Sequence, residues 1–216
     1  MSRVTRISAL LMSASTFGCL GGSVPAPELY RLAPAPARTD SAPSRGHLPG
    51  SLAVERYVTP GIYGERGIVY RIDETRYGVY PYREWALPLG EMLGLETEDV
   101  LAAAPLTSER AVFEPATRRG VTYIWRGSVR QFEEADRGKQ VFAVVAIEAK
   151  LVRASDDSVM WRGMKRLERE VPEGAMPAIV TALSELSRQA LTDLVTDARG
   201  TVETIPATVR QTKPSR

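Results

Sequence analysis

Residues 140–153 read QVFAVVAIEAKLVR, and this stretch decides the fold. Positions 141–149 are apolar on both faces of an extended chain and are rich in valine and alanine. A strand with two apolar faces is covered on both sides of its sheet. The sequence therefore predicts the most buried strand of a sheet at residues 140–153.

Two further strands flank this one along the chain. Val121–Phe132 precedes it and Ser158–Glu170 follows it, and polar segments at residues 135–138 and 154–157 join the three. Connections this short usually link neighbouring antiparallel strands. We therefore predict an antiparallel three-strand meander in the C-terminal half.

A long helix is predicted at Pro177–Arg199. Pro177 suits the first helical position, and Gly200 can cap the C-terminal end. The apolar residues of the segment form one stripe, which we expect to cover a face of the meander. The stripe consists of Ile179, Val180, Leu183, Leu186, Ala190, Leu191, Leu194, Val195 and Ala198. Residues 200–216 are predicted to form a polar, flexible tail.

A β-hairpin is predicted in the N-terminal half. Residues 68–72 and 77–80 have strand composition, and residues 73–76 are suited to the turn between them. We expect Pro81 to end this hairpin, because proline cannot donate a ladder hydrogen bond.

A shorter helical region follows the hairpin. Four apolar residues recur at i, i+4, i+7 and i+8 and so share one helix face: Trp85, Leu89, Met92 and Leu93. Gly94 is predicted to interrupt this helix, and a short helical segment is predicted at residues 96–104. Shorter strands are expected at residues 52–58 and 111–113.

These elements together predict an α+β fold. The sheet should be mainly antiparallel, built from the N-terminal hairpin and the C-terminal three-strand meander. Two or three helices should cover it, the longest of them C-terminal. The chain has 216 residues, which leaves room for a single domain at residues 51–199.

The N-terminus has the pattern of a bacterial lipoprotein signal. Arg3 and Arg6 supply positive charge, an apolar run follows, and the small residue Gly18 precedes Cys19, the only cysteine. We predict that residues 1–18 are a signal peptide and that the Cys19 thiol is acylated, with palmitate among the acyl groups. An ordinary signal peptide with a chance cysteine, or a cytosolic protein, is the alternative.

The segment after Cys19 is predicted to be a tether. Residues 19–50 are rich in Pro, Ala and Ser, a composition that buries little apolar surface. Tyr30–Leu32 within it can form a short strand or a docking segment. No apolar run elsewhere approaches the roughly 20 residues needed to span a bilayer, so the membrane should be reached through acylated Cys19.

The charge balance argues against a nucleic-acid-binding protein. The chain has 28 basic and 26 acidic residues, and two of the basic residues, Arg3 and Arg6, lie in the predicted signal peptide. The mature chain is therefore neutral overall, whereas nucleic-acid binders usually carry a basic surplus. With no cysteine after Cys19, no disulfide framework is expected.

A glycine-rich loop with tyrosines around it is the candidate partner surface. Ile62 and Tyr63 lie in a loop punctuated by Gly61, Gly64 and Gly67, and six of the eight tyrosines fall between residues 57 and 82. Tyrosine suits both sheet packing and interfaces, and both interpretations stay open. Phosphate binding is disfavoured, because neither a Gly-Lys-Ser/Thr motif nor a helix N-terminus follows the loop.

The sequence offers no catalytic constellation. His47 is the only histidine and lies in the predicted tether. We interpret Glu133-Glu134 as solvated charges and Asp156-Asp157 as turn residues. We therefore predict no catalytic residue, no metal ligand and no cofactor, and regard the protein as a non-enzyme.

The order of these features resembles that of the ABC-type transport auxiliary lipoproteins, the PqiC-like group. Tyr30-Arg31-Leu32-Ala33-Pro34 and Trp85-Ala86-Leu87-Pro88-Leu89 are similar to two segments of that family. The strand block and helix from Tyr123 to Leu194 follow in the same order.

This resemblance implies an outer-membrane lipoprotein concerned with membrane integrity and lipid transport. It would dock a periplasm-spanning MCE-domain protein, which works with a permease and an ATPase. Leu20 after the cysteine is compatible with outer-membrane sorting, and self-association stays open. The alternatives are a lipid-binding carrier with its own apolar cavity and, less favoured, a periplasmic enzyme.

Overall fold

The computed structural model describes residues 25–33, 46–114, 120–172 and 175–204. These residues form one sheet of eight strands, with two helices on one face. The strands are β1 (Glu28–Tyr30), β2 (Leu52–Val54), β3 (Gly67–Arg71), β4 (Tyr77–Trp85), β5 (Val112–Phe113), β6 (Tyr123–Arg137), β7 (Gln140–Arg153) and β8 (Val159–Val171). The helices are α1 (Leu89–Ala103) and α2 (Met176–Thr204), and a single 3-10 turn spans Gly61–Gly64. The predicted α+β class, with the longer helix C-terminal, is confirmed.

The predicted meander is present as β6, β7 and β8. Both pairings are antiparallel, and β7 begins and ends at the predicted residues. Strand β6 runs five residues further than predicted, so that the turn is confined to Gly138 and Lys139. Gly138 has a φ of +70°, a conformation that glycine adopts without strain. Trp125 and Trp161 stack on one face with ring centroids 5.3 Å apart.

The sheet is mixed: its long pairings, β6 with β7 and β7 with β8, are antiparallel as predicted, and short parallel pairings that were not predicted add to them. Strand β6 has parallel partners along the edge opposite β7: β2 pairs with its first residues and β3 with its last. Strand β1 is parallel to β4 as well. With 15 residues, β6 extends about 50 Å, which is long enough for two short strands to pair end to end along one edge.

Pro81 does not end the hairpin. Strands β3 and β4 pair as predicted, but β4 continues through Pro81 to Trp85, a residue predicted to lie on the next helix. Along β4, the residues that pair with β3 are interrupted between Val79 and Glu84. Pro81 lies in this interruption, where no backbone N–H has to donate to β3. Tyr82 next to it has a φ of +58°.

Two parts of the predicted tether pack against the domain. Strand β1 adds to the edge of β4, and Leu32 after it is buried. Leu48 is fully buried and donates its backbone N–H to the carbonyl of Leu106 at 2.9 Å. The folded part therefore includes these residues in addition to those after Ser51.

Helix α1 is continuous, so the predicted break at Gly94 is wrong. A Cβ built at Gly94 would lie 2.2 Å from Cε2 of Phe113, on β5. The glycine allows the helix to approach this ring closely. Its presence reflects packing rather than a helix end.

Helix α2 buries the predicted stripe, and all nine of its members are buried. The helix begins one residue before Pro177 and continues to Thr204, so Gly200 lies inside it rather than capping it. The side chains of α1 and α2 form one core with the face of β7 that carries Val145 and Ile147.

The opposite face of the sheet, which we call the helix-free face, has no helix packed on it within the described residues. Val144 and Ala146 point toward this face and are nevertheless buried. Long charged side chains lie over it, as where the Arg137 guanidinium sits 4.5 Å from the centroid of the Phe142 ring. Within the described ranges, no helix has the length and apolar character needed to cross a membrane.

Candidate functional site

The predicted partner residues Ile62 and Tyr63 lie in the 3-10 turn at Gly61–Gly64, which contacts β3, β6 and α1. Both are partly exposed. The Tyr63 hydroxyl donates a hydrogen bond to the Glu133 carboxylate on β6, which holds the turn against the sheet. Burial of this hydroxyl and its bond to Glu133 raise the pKa of Tyr63. The structure thus brings the turn into contact with an acidic residue that the sequence analysis treated separately.

Glu133 and Glu134 are buried, and the interpretation of this pair as solvated charges is wrong. Glu133 accepts a bond from Arg71 Nε at 2.7 Å, besides the bond from Tyr63. Glu134 points to the other face and accepts a bond from the Tyr80 hydroxyl at 2.8 Å; burial raises the pKa of its carboxyl. The missed signal was the length of β7, whose 14 residues require a partner extending past Phe132.

The tyrosines divide between packing and exposure. Tyr57 is fully enclosed, accepts a bond from Trp125 Nε1 at 2.9 Å and lies 2.8 Å from the Thr97 hydroxyl. Burial raises the pKa of Tyr57 to about 12. Tyr77 and Tyr82, in contrast, are exposed on β4. The packing interpretation therefore holds for Tyr57, while the exposed tyrosines remain available for contacts.

A pocket of about 210 Å³ lies between α1, α2 and residues 31–33. Its walls are mainly apolar, and Leu87 and Leu95 at its rim are each 42% exposed. The segment 31–33 is held in place by α2: the Ala33 N–H donates to Ser184 Oγ at 3.0 Å, and Arg188 donates to the Ala33 carbonyl at 2.6 Å. Part of the predicted tether therefore forms one wall of the pocket.

The polar side of this pocket is an ion pair between the two helices. Glu96 on α1 is 7% exposed, and its Oε1 lies 3.2 Å from Arg188 Nη2 on α2. Oε1 has no hydrogen bond of proper geometry, so the contact is an ion pair by distance only. The other carboxylate oxygen accepts a bond from the Ser187 hydroxyl at 2.8 Å.

Burial dominates the electrostatics of Glu96. It raises the pKa of this carboxyl to about 7, and the bond from Ser187 and the charge of Arg188 offset the effect only in part. Glu96 is therefore partly protonated near neutral pH. The periodicity of α1 could not reveal this residue, because its burial depends on the docking of α2.

The other residues singled out from the sequence do not converge on a reactive site. Cys19 lies outside the described residues. His47 Nε2 is 2.8 Å from a carboxylate oxygen of Glu203, and both side chains are exposed. Asp156 forms the predicted turn by accepting bonds from Ser158. The described ranges contain no group of three or more His, Cys, Asp or Glu side chains arranged to hold a metal ion.

Known structures share this fold. The crystal structure of protein XCC0632 from Xanthomonas campestris, of family DUF330, matches with a TM-score of 0.65 at 21% identity, covering 82% of this chain and 97% of that one. The crystal structure of an uncharacterized protein matches with a TM-score of 0.60 at 16% identity, covering 80% and 99%. No curated protein matches the chain.

The family comparison covers most of the chain. Residues 30–195 match the model of the ABC-type transport auxiliary lipoprotein component. The match begins at the last residue of β1 and ends within α2, so it includes both the Tyr30–Leu32 segment and the meander. This protein belongs to the ABC-type transport auxiliary lipoprotein family.

Proposed function

We propose that this protein is an outer-membrane lipoprotein, anchored through acylated Cys19 and facing the periplasm. In this proposal it docks the periplasm-spanning MCE-domain protein of an ABC transport system that moves lipids or other hydrophobic molecules. Its contribution is binding rather than catalysis. Membership of the auxiliary lipoprotein family supports the general role in transport.

The observation that carries the docking role is the 3-10 turn at Gly61–Gly64, which we call the braced turn. Ile62 is partly exposed, and the neighbouring Tyr63 ties the turn to the fully buried Glu133, which Arg71 also holds. A contact residue on a turn held in this way loses little conformational freedom on binding. Ile62 and Tyr63 are therefore our proposed partner surface.

The pocket between α1, α2 and residues 31–33 is small for a lipid-carrying site. Its volume of about 210 Å³ is below the roughly 300–1,000 Å³ typical of small-molecule sites. An ion pair, Glu96 with Arg188, closes one side of it. A carrier of acyl chains needs a larger apolar space than this one.

The position of β1 limits how far the domain can lie from the membrane. Eight residues lie between Cys19 and Glu28, the first residue of β1, and the nine Cα–Cα steps of a fully extended chain span at most about 32 Å. Two or more acyl chains hold a protein on a membrane stably. Acylated Cys19 would therefore keep the domain close to the membrane surface.

The anchor is tested with Cys19→Ser in the full chain. We expect the variant to remain folded by circular dichroism but to leave the membrane fraction or to stay unprocessed. Fractionation with the outer membrane and normal maturation of the variant would show that lipidation is the wrong explanation.

Docking is tested by binding of the purified MCE-domain protein of the same transport system. Ile62→Asp should weaken binding by about tenfold or more at an unchanged melting temperature, because interface energy concentrates in a few apolar anchors. Leu87→Asp, at the pocket rim, is the matched control and should bind normally. The reverse pattern would place the docking surface at the pocket.

A further inference from the structure

Charged residues form a regular array on the helix-free face, across β6, β7 and β8. Lys150 is in register with Arg126 on one side and Arg162 on the other. In the next row of that face, Glu148 is in register with Met164. Side chains in register on neighbouring strands lie about 4.5–5.5 Å apart at Cβ, so these residues are direct neighbours.

Three cations of this array surround one carboxylate. Arg130 Nε donates to Glu148 Oε2 at 3.0 Å, and Arg162 Nε lies 3.9 Å from Glu148 Oε1. Lys150 adds its field to the same carboxylate, and all three lower the pKa of Glu148, the Arg130 bond most strongly. Arg166 lies one row beyond Met164. We call Arg130, Lys150, Arg162 and Arg166, with Glu148 and Met164 among them, the basic cluster.

The basic cluster carries an excess of positive charge. Like charges directly opposite on neighbouring strands are unfavourable, and Lys150 has an arginine on each side. Arg126 is compensated by Glu55 and Asp157 at 3.0 and 3.1 Å, and Arg166 by Glu168 at 2.8 Å. Glu148, in contrast, is shared among Arg130, Lys150 and Arg162. An anionic ligand would relieve this repulsion.

The cluster is open to solvent and includes apolar surface. Arg130 and Arg162 are 54% and 59% exposed, and Met164 is 60% exposed. Arginine and methionine are enriched at protein interfaces, whereas lysine and carboxylates dominate ordinary surfaces. A partner with carboxylates around an apolar contact would complement the cluster.

We propose that the basic cluster binds an acidic segment of a protein partner. This inference rests on the proposed docking function, and it specifies that the partner's contacting segment is negatively charged.

The location of the cluster favours a protein over a lipid surface. The chain enters the sheet at β1, whereas the cluster lies on the far side of β4 and β3. Strand β7 is four strand spacings from β1, about 20 Å. The cluster therefore lies away from the strand that leads to the proposed anchor.

The cluster is also continuous with the braced turn. Arg166 Nε donates to Gln131 Oε1 at 2.9 Å, and Gln131 Nε2 is 3.4 Å from Glu133 Oε1. Glu133 in turn accepts a hydrogen bond from the Tyr63 hydroxyl. A chain of polar contacts thus connects the cluster to the turn, and one partner can cover both.

The test compares two triple variants of the full chain in binding to the purified MCE-domain protein. Arg130, Arg162 and Arg166 are changed to Gln in the cluster variant. Arg56, Arg76 and Arg110 are changed to Gln in the control, which removes the same charge from three other exposed ion pairs. We expect the cluster variant to lose about tenfold or more in affinity and most of its dependence on salt.

Each outcome decides between the proposals. If the wild-type chain does not bind the MCE-domain protein, the proposed function and this inference both fail. If the wild type and both variants bind equally, the inference fails and the function stands. Vesicles of anionic phospholipid form a second arm, with the cluster changes placed in the unacylated Cys19→Ser chain. Loss of vesicle binding alone would assign the cluster to the membrane and overturn the inference.

Discussion

At the residue scale, two buried carboxylates, Glu96 on α1 and Glu133 on β6, connect distant parts of the chain. Glu96 joins the two helices beside the pocket, and Glu133 holds the turn that carries Ile62 and Tyr63. Both are buried, and each is surrounded by partners from distant parts of the chain. We therefore expect changes at Glu96, or at the Tyr63 donor to Glu133, to alter the free energy of unfolding.

Glu96 should make stability depend on pH. Its carboxyl has a raised pKa of about 7 in the folded state, so the folded protein binds a proton more tightly than the unfolded chain. The free energy of unfolding should therefore fall as pH rises from about 4.5 to about 7, by at most about 3 kcal/mol. Denaturant titrations across this range measure the change.

Glu96→Gln should remove most of this pH dependence, because glutamine does not titrate. Glu98→Gln, on the same helix, is the control and should keep the wild-type profile. A wild-type profile in Glu96→Gln would contradict the raised pKa of Glu96.

Tyr63 should contribute to stability through its hydroxyl. Tyr63→Phe keeps the ring but removes the donor to buried Glu133, and bonds to charged groups contribute about 1.5–3 kcal/mol. Chemical denaturation should show a loss of that size. Tyr82→Phe, at an exposed site, should be nearly neutral; equal effects at both positions would mean that the bond to Glu133 is unimportant.

At the element scale, the helices show that the same residue type has different roles. Gly94 in α1 and Gly200 in α2 both lie inside helices. A Cβ at Gly94 would meet the Phe113 ring at 2.2 Å, whereas a Cβ at Gly200 would have nothing within 4 Å. The two glycines therefore differ in the space around their Cα atoms and not in their intrinsic helix propensity.

The two glycines should respond to alanine in opposite directions. Gly200→Ala should stabilise the protein by up to about 1 kcal/mol, since alanine favours the helix. Gly94→Ala should destabilise it, because Phe113 has to move. Thermal melts of both variants decide the matter, and stabilisation by Gly94→Ala would show that the contact with Phe113 relaxes easily.

The buried stripe of α2 should dominate the stability of that helix. Leu183 and Leu191 are fully buried, and changing either to Ala should cost about 2–5 kcal/mol. Glu185 pairs with Arg169 on an exposed surface, so Glu185→Ala should cost less than about 1 kcal/mol. Similar small effects at all three positions would contradict the packing of α2.

At the scale of the whole molecule, the N-terminal segment is part of the domain. Leu32 and Leu48 are buried, and β1 pairs with β4. A chain that begins at Ser51 loses all three features. Burial of two leucines contributes about 3–6 kcal/mol, so this chain should be less stable than one beginning at Pro25 by a comparable amount. Equal midpoints in a denaturant titration would show that the segment only rests on the surface.

The sequence by itself determined the elements whose signal is local. Apolar positions in β7 and the stripe of α2 specify strand and helix directly, because each pattern matches the period of its own element. The hairpin of β3 and β4 was predictable for the same reason. The resemblance to the auxiliary lipoproteins also rested on local segments, such as Trp85–Leu89, and the family was confirmed.

Tertiary structure alone decided the parallel pairings, the burial of Glu133 and the partners of Glu96. Strands β2 and β3 lie on β6 because long connections return them there, and no local pattern records where a connection ends. A charged residue near a strand end is usually solvated, but Glu133 is covered by Tyr63 and Arg71 from 62 to 70 residues away. Local periodicity describes the face a residue occupies, whereas long-range pairing determines what lies against that face.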